Sequence, residues 1–513
     1  MRPAAAAAAE RTIGPARRRA VDVRGALALV GLLLEYLSAT ALVPAAFAIG
    51  YREPVWPFLA ATGIALGVGL ALERGLGGAT SIGVREGYLV VALTWVAAAA
   101  FGALPYLLSG DPQLDRPVDA LFESMSGFTT TGATVLTDVD SVDRSLLLWR
   151  QLTQWLGGMG IIVLALAVLP RLRVGGRQLF ESELPGPEID QLADRIRDAA
   201  RRLWLLYLAL TAALFAALAA IGAVADGGMG PFDALGHALT TLPTGGFSTE
   251  PDSVAGFDAA TQWVLVVFMV LGGMSFALLY RAFVRREPRA AARDEELRVY
   301  LAALVVGAAL VLAELWDKGL ASGEQAIREA VFQTVSIMTT TGFASVDFAG
   351  WPTLALMTLV ALMFVGGCAG STAGSIKVVR HVLLGKSLRR ELRQTVHPEE
   401  IVPIRLNRRP LDERTLRAAT AFILLYIGIF VAGAAVIAID TAFQGPDLTP
   451  MNAIAAAAAT LGNVGPGLGF AGPLGSFHAF SDVSTTTMMI LMWLGRLEVI
   501  PVIVLVTRRY WTT

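Results

Sequence analysis

Four glycines in this chain each stand fifteen residues after the opening of a similar phrase. Gly132, Gly246 and Gly465 follow Pro117, Pro231 and Pro450 at that distance, and Gly342 follows Ile327. The phrases open Pro-Val-Asp-Ala, Pro-Phe-Asp-Ala, Ile-Arg-Glu-Ala and Pro-Met-Asn-Ala. Two close on Thr-Thr-Thr-Gly, at Thr129–Gly132 and Thr339–Gly342; the others close on Pro243-Thr244-Gly245-Gly246 and Gly462-Asn463-Val464-Gly465. Proline suits the first helical turn, where its missing N–H costs nothing, and an acid there meets the positive end of the helix dipole. Each phrase therefore reads as a short helix running into an extended, glycine-ended strand. Four of them imply one site built from four quarters.

Extended backbone flanked by threonine and glycine can turn carbonyl oxygens inward, and four such ladders around an axis can replace the water shell of a dehydrated cation. The C-terminal ends of the preceding helices carry partial negative charge and favour a cation between them. One isolated Thr-Thr-Thr-Gly would read as a turn after a helix; four copies in matching context argue against that.

The surroundings are those of a membrane protein. Of 513 residues, 55% are hydrophobic and 16% charged, and apolar runs long enough to span a bilayer recur throughout. The single cysteine, Cys368, excludes an intrachain disulfide framework, and four histidines leave little for imidazole-rich metal sites. Residues 1–22, with Arg17-Arg18-Arg19, read as a basic cytosolic tail. Residues 23–75 hold two N-terminal spans, Val23 to Ile49 and Trp56 to Leu72, packed on the outside of the first repeat. The first span is too long for a signal-peptide core and shows no cleavage site.

Four repeats of span, short helix, glycine strand and span occupy 86–170, 200–285, 297–395 and 413–509. The first uses Tyr88 to Leu108, Val118 to Phe128 and Leu146 to Leu169; the second, Leu203 to Val224, Phe232 to Leu242 and Gln262 to Phe283. The third uses Val299 to Trp316, Ala326 to Met338 and Trp351 to Val365; the fourth, Leu416 to Ile439, Met451 to Leu461 and Ser484 to Val506. The fold class is thus all-α and polytopic, with four pseudo-symmetric quarters around a central pore.

Arginine-rich segments at Arg171 to Arg202, Arg281 to Arg298, Lys377 to Arg417 and Arg508-Arg509 face the cytosol, which places both termini there. The opposite loops carry Asp111, Asp115, Asp138, Asp140, Asp143, Asp226, Glu250, Asp252, Asp258, Asp347, Asp440 and Asp447 with few cations. Their negative potential either concentrates cations at a pore mouth or simply reflects free placement of acids on the translocated side.

Phe364 to Ser375 holds Gly366, Gly367, Gly370, Ser371, Thr372 and Gly374 where a helix would otherwise continue. So much glycine and hydroxyl at membrane depth suits unwound backbone lining a water-filled cavity. The rival is a helix packing through Gly366, Gly370 and Gly374, spaced by four. The loop is preferred because Gly367, Ser371 and Ser375 weaken a helix further, and beneath the glycine strands it can block or pass ions. Two cations bracket it. Arg496, inside the last span, sets a barrier for cations or pairs with Glu498 or another buried acid. Lys377 ties down the loop or snorkels to the cytosolic boundary. Glu35, inside the first span, has a buried structural partner or serves an ion relay. Two look-alikes carry nothing. Gly467-Leu-Gly469-Phe-Ala-Gly472 lacks a βαβ context, and Gly370 to Lys377 has Ile376 where a phosphate loop needs glycine.

These residues resemble the Trk/Ktr/HKT superfamily of potassium transporters, most closely its TrkH-type subunit, from about residue 23 to the C-terminus. The resemblance is carried by Phe128-Thr-Thr-Thr-Gly-Ala-Thr134, Gly366-Gly-Cys-Ala-Gly-Ser-Thr372, Gly462-Asn-Val-Gly-Pro-Gly467 and Gly495-Arg-Leu-Glu498. It implies potassium uptake across the bacterial inner membrane through a pseudo-fourfold pore, without enzymatic activity. The expected potassium ligands are Thr130, Thr131, Gly132, Thr244, Gly245, Gly246, Thr340, Thr341, Gly342, Asn463, Val464 and Gly465. The second and fourth segments depart from Thr-Thr-Thr-Gly, so backbone rather than side-chain ligation is expected there. Glycine at all four key positions favours potassium over sodium. The resemblance also implies a gate at Gly366 to Ser375 with Lys377 and Arg496, a homodimer, and a cytosolic TrkA-like nucleotide-binding partner. No cofactor in this chain and no nucleic-acid partner is expected. The competing expectations are a Na+- or H+-coupled symporter with alternating access, which repeats alone would permit, and a membrane enzyme or scaffold whose glycine loops bind phosphate.

Overall fold

The computed structural model describes residues 21–77, 83–167, 189–444 and 449–512. The tail before residue 21, the stretch 168–188 and Asp447 lie outside the described residues. Among the described residues, six helices are long and apolar enough to cross a membrane, and two further bent helix pairs pass the same test.

Helix α1 (Val23–Ser38) passes through a 3-10 turn into α2 (Leu42–Tyr51), and α3 (Trp56–Leu76) returns beside it. α1 and α3 cross at glycines: a methyl carbon on Gly31 would sit 2.7 Å from the carbonyl oxygen of Gly69, so the backbones touch. Glu35 lies at this crossing against Gly69 and beside Glu73. Both helices pack on the next one, α4 (Val84–Ser109).

With α4 begins the first of four units, completed by α5 (Pro117–Phe128) and α6 (Arg144–Ala167). The second holds α7 (Ile189–Gly222), α8 (Pro231–Thr241), α9 (Ala259–Gly273) and α10 (Phe276–Leu279). After α11 (Pro288–Ala292), the third holds α12 (Glu295–Asp317), α13 (Gly323–Met338) and α14 (Thr353–Leu362). Helix α15 (Val378–Val396) and a hairpin of β1 (Arg405–Leu406) with β2 (Arg409–Pro410) lead to the fourth. That unit has α16 (Glu413–Gln444), α17 (Pro450–Leu461), α18 (Asp482–Arg496) and α19 (Ile500–Val506), before a last turn, α20 (Arg508–Trp511).

Pro117, Pro231 and Pro450 each open a short helix, as their fixed φ favours. The third short helix starts at Gly323, before Ala326. Ile327 keeps its N–H and does not stop the helix growing backwards, where Glu324 pairs with Arg328 at 3.0 Å.

Three final spans expected as continuous are not. Gln262 to Phe283 breaks at Met274-Ser275 with a bend of 108°. There the Phe276 N–H donates to the Gly370 carbonyl (3.1 Å) and the Gly273 carbonyl accepts from the Cys368 N–H (2.8 Å), so the glycine-rich loop supplies the bonds the helix gives up. Ser484 to Val506 breaks at Leu497–Val499 with a bend of 116°. Glu498 and Val499 both take positive φ (56° and 60°), and Glu498 pairs with Arg380. Trp351 to Val365 is helical only as far as Leu362. Asp440, expected in an outer loop, lies in the last turns of α16, where its carboxylate accepts from Ser481 and Ser484 at the start of α18.

Short helix α5 lies against α18, α8 against α6 and α13 against α9, so each touches the closing span of another unit. Beside α17 the stretch after α14 intervenes: a methyl carbon on Gly374 would strike the Gly462 carbonyl, and one on Gly462 would lie 3.1 Å from that of Met363. The molecule is polar at its centre. Glu123, Gln154, Thr129 and Thr341 are fully buried, whereas Leu205, Val267, Val305 and Leu424 are more than half exposed on the perimeter. That distribution suits a bilayer rather than water.

Candidate functional site

All four short helices end alike. Two residues before each glycine, Thr130, Thr244, Thr340 and Asn463 adopt left-handed backbone, with φ of 53°, 56°, 59° and 52°. The next residue donates its N–H five residues back: Thr131 to Ser126, Gly245 to Thr240, Thr341 to Ser336 and Val464 to Ala459, each at 2.8 Å. With the accompanying bond three residues back from Thr130, Thr244, Thr340 and Asn463, this is the Schellman ending of a helix. The glycines are left-handed too, with φ of 83°, 80°, 84° and 106°. The expected extended strands are thus corrected. Left-handed residues punctuate each segment, because the helix carbonyls capture its first amides. A non-glycine residue held this way costs roughly 1–3 kcal/mol. Four such residues in register mark a constrained site.

The four segments meet in a closed ring. A methyl carbon on Gly132 would strike the carbonyl oxygen of Gly245, and one on Gly246 that of Thr341; Gly342 faces Val464 in the same way, and Gly465 faces Thr131. Each glycine thus abuts the residue preceding the glycine of the next unit, and the fourth returns to the first. Thr130, Thr131, Thr244, Gly245, Thr340, Thr341, Asn463, Val464 and Gly465 are buried, while Gly132, Gly246 and Gly342 are partly open. Among the described residues, only Gly245 of the twelve segment residues has its carbonyl oxygen taken by a hydrogen-bond donor, the Gln154 side chain. Buried carbonyls are rarely left unpaired. A ring of them is suited to a cation or to water. No cluster of three or more His, Cys, Asp or Glu side chains stands ready for a metal ion among the described residues, while the Thr130 hydroxyl and the Asn463 side-chain oxygen are buried without a hydrogen-bond partner beside the segment carbonyls.

Polar side chains missed in the sequence brace this ring. Nine residues before the glycine stand Glu123, His237 and Gln333, all buried. Glu123 accepts from the Thr134 hydroxyl (3.0 Å) and the Val135 N–H (3.0 Å); His237 pairs with the Ser248 hydroxyl (3.0 Å), and the Gln333 amide donates to that of Ser345 (3.1 Å). In the fourth unit Ala456 holds the place, and the Gly467 N–H bonds the Ala471 carbonyl at 2.7 Å instead. Glu123 also pairs with buried Arg150 at 2.7 Å, whose guanidinium lies 4.0 Å over the Phe247 ring and donates to the Ser248 carbonyl. Hydroxyl pairs 2.8 Å apart, Thr129 with Thr131 and Thr339 with Thr341, stiffen the first and third segments. Arg150 and Gln154 inside an apolar span were the available signal.

Residues 363–377 contain no helix, which excludes glycine-stripe helix packing there. The loop lies against the inner ends of the glycine segments. The Gly374 N–H donates to the Thr340 hydroxyl (2.7 Å), and the Thr372 hydroxyl to the Leu242 carbonyl (2.8 Å) and the Gly272 carbonyl (3.1 Å). The Gly366 N–H donates to the Ile376 carbonyl at 3.0 Å, and Gly367 lies against Gly273. The Ser371 hydroxyl donates to the Cys368 carbonyl (2.7 Å). Arg496 is buried and donates to the carbonyls of Thr372 (2.7 Å) and Gly157 (3.1 Å); Glu498, its suggested acid, pairs with Arg380 instead. Lys377 is buried too, not at a boundary, and donates to the Ala373 carbonyl. Glu296, hidden in sequence within an arginine-rich segment, accepts from the N–H groups of Ala369 (2.7 Å) and Val379 (3.1 Å) and holds the loop from the far side.

On the other side of the ring a cavity of about 330 Å³ is lined by the four glycines, with Phe247, Glu250 and Arg150 at its wall. Burial first, then Asp233, Asp140 and Asp252, raise the Glu250 carboxyl above its ordinary range.

Comparison with known proteins agrees with this architecture. The family described as "TrkH: Cation transport protein" matches residues 63–511. The chain is 38% identical over 493 residues to the Trk system potassium uptake protein TrkH of Escherichia coli strain K12, covering 94% of this chain and 98% of that protein. It is 36% identical over 498 residues to the Trk system potassium uptake protein TrkH of Halomonas elongata, covering 96% of this chain and 100% of that one. The crystal structure of the potassium transporter TrkH from Vibrio parahaemolyticus superposes with a TM-score of 0.85 at 35% identity, over 96% of this chain and 100% of that one. These relatives are transport proteins, not enzymes. The chain therefore belongs to the TrkH family of cation transport proteins, and it is a multi-pass membrane protein.

Proposed function

We propose that this chain is a potassium-uptake protein whose filter is the ring of glycine segments. The reading rests above all on the closed contact of Gly132, Gly246, Gly342 and Gly465 with the carbonyls of neighbouring units, which carry almost no other donors. A potassium ion arriving from the cavity beside Glu250 exchanges its water for the oxygens of residues 130–132, 244–246, 340–342 and 463–465. The four units at 86–170, 200–285, 297–395 and 413–509 act as quarters of this pore. The ion then meets the loop 366–375, pinned beneath the filter by Arg496, Lys377 and the Thr340 hydroxyl. In this arrangement the loop is the closed gate. Opening requires Gly374 to leave Thr340 and Thr372 to leave Leu242.

The location is the inner membrane with both termini in the cytosol, as the arginine-rich segments favour. The relatives are named as members of a Trk system, which fits the presence of further subunits, and we read the assembly as a homodimer with a cytosolic nucleotide-binding partner. Rubidium uptake into proteoliposomes, with and without a sodium or proton gradient, tests the reading. Uptake down the potassium gradient alone supports a pore. Uptake only with a fixed stoichiometry of a co-transported ion would replace it with a symporter, and no rubidium entry at all would end it.

A further inference from the structure

The second segment differs from the others before its glycine, with Gly245 where the fourth has Val464. Its glycine is preceded by Gly245, where the first and third segments have threonines whose hydroxyls are paired to Thr129 and Thr339. Gly245 does not take positive φ, so freedom of the backbone does not explain it. Space does. A methyl carbon on Gly245 would collide with the side-chain amide of Gln154, an α6 residue of the first unit. That amide is fully buried and clamps the second segment from both sides. Its Nε2 donates to the Gly245 carbonyl at 2.7 Å, and its Oε1 accepts from the Phe247 N–H at 3.1 Å. The Gly245 carbonyl is also the one against which Gly132 packs, so the clamp bears on the contact between the first and second quarters.

We infer that Gln154 is a specificity-setting positioning residue of the filter, standing in from another unit for the threonine brace that the second segment lacks. The inference rests on the glycine ring being the filter. Four carbonyls, those of Thr131, Gly245, Thr341 and Val464, occupy equivalent places. Three are free of donors among the described residues, and one is both fixed and partly neutralised by an amide N–H. A carbonyl sharing its lone pairs with an amide offers a weaker field to the ion, and one held at both neighbours cannot close in on a smaller ion. Both effects work against sodium, which needs nearer oxygens. The layer is therefore uneven by construction, and the unevenness is built by Gln154.

The test is the potassium-to-sodium permeability ratio of the full-length protein in proteoliposomes, for the wild type, Gln154→Met and Gln154→Glu. Methionine keeps the volume and removes both hydrogen bonds. Glutamate keeps the acceptor for Phe247 and removes only the donor to Gly245. The ratio is expected to fall about fivefold in Gln154→Met, the loss that one hydrogen bond of ordinary strength would give. Gln154→Glu is expected to fall as well, because the donor is the part that matters. If Gln154→Met does not reach the membrane, Gln154→Glu alone decides. A folded variant with the wild-type ratio overturns the inference while the wild type continues to pass potassium selectively. A wild type that passes no potassium overturns the reading of the filter instead.

Discussion

Arg496 of the fourth unit donates to the carbonyl of Thr372 in the third at 2.7 Å, so a buried cation grips the loop by its backbone rather than meeting an acid. Its second guanidinium nitrogen reaches the Gly157 carbonyl, in α6 of the first unit. Three quarters of the molecule are thus joined through one side chain beneath the ring.

Replacing Arg496 by glutamine should loosen that grip. Hydrogen bonds from a charged donor contribute about 1.5–3 kcal/mol each. Losing one is enough to shift a closed-to-open ratio by roughly tenfold or more. Unstimulated rubidium flux through Arg496→Gln should rise accordingly. A variant that folds and leaks no more than wild type would show that the Arg496 bonds do not hold the loop shut.

Glu123 and Arg150 form a buried pair, with relative side-chain exposures of 0% and 2%. Removing one partner strands a charge in the interior, at a cost of about 3–5 kcal/mol. Arg150→Met should therefore lower the unfolding temperature in detergent sharply. Glu123→Gln combined with Arg150→Met should recover much of the loss, since no charge is then stranded. Equal losses in single and double variants would mean that the pair acts through shape, by packing on Phe247, and not through charge.

The ring was legible because its signals are local. A proline, an acid and a glycine at fixed spacing announce a helix and its end, and the four copies reinforce one another. What escaped the sequence is long-range. Glu123 and Arg150 are 27 residues apart, and although Arg150 stands out inside an apolar span, its partner is not evident until α5 and α6 are packed together. The break at Met274-Ser275 follows Gly272-Gly273, a local mark, but the bonds replacing its helix ladder come from Cys368 and Gly370, far along the chain. At Glu498-Val499, Pro501 two residues on was a signal, but Val499 at positive φ is not a residue that pattern reading would choose for a turn.

Gly342 combines a φ of 84° with a packing partner, the Val464 carbonyl, where a side chain would have to go. Gly342→Ala should therefore push the third and fourth quarters apart and reduce potassium-over-sodium discrimination. Gly350 is the matched control. It has no positive φ and open space around it, so Gly350→Ala should leave the ratio unchanged. Ion competition in rubidium uptake reads both. Intact discrimination in Gly342→Ala would remove that glycine from the filter.

Glu250 gives the cavity above the ring a pH dependence whose direction follows from its burial and then from its acidic neighbours. Burial, with Asp233, Asp140 and Asp252 nearby, holds its carboxyl above the ordinary range. As pH falls it is neutralised before an unperturbed glutamate would be. Between the ordinary and the raised values the folded protein binds the extra proton, so its stability increases as pH falls through that window and decreases as pH rises. Transport runs the other way, because the cavity lined by Glu250 loses negative charge and gathers fewer cations. At about 0.01 M salt, where screening extends over roughly 30 Å, wild-type flux should begin to fall at a higher pH than in Glu250→Gln. At about 1 M salt, with screening near 3 Å, the two curves should coincide. Superimposable curves at low salt would mean that the other acids, not Glu250, set the potential at the entrance.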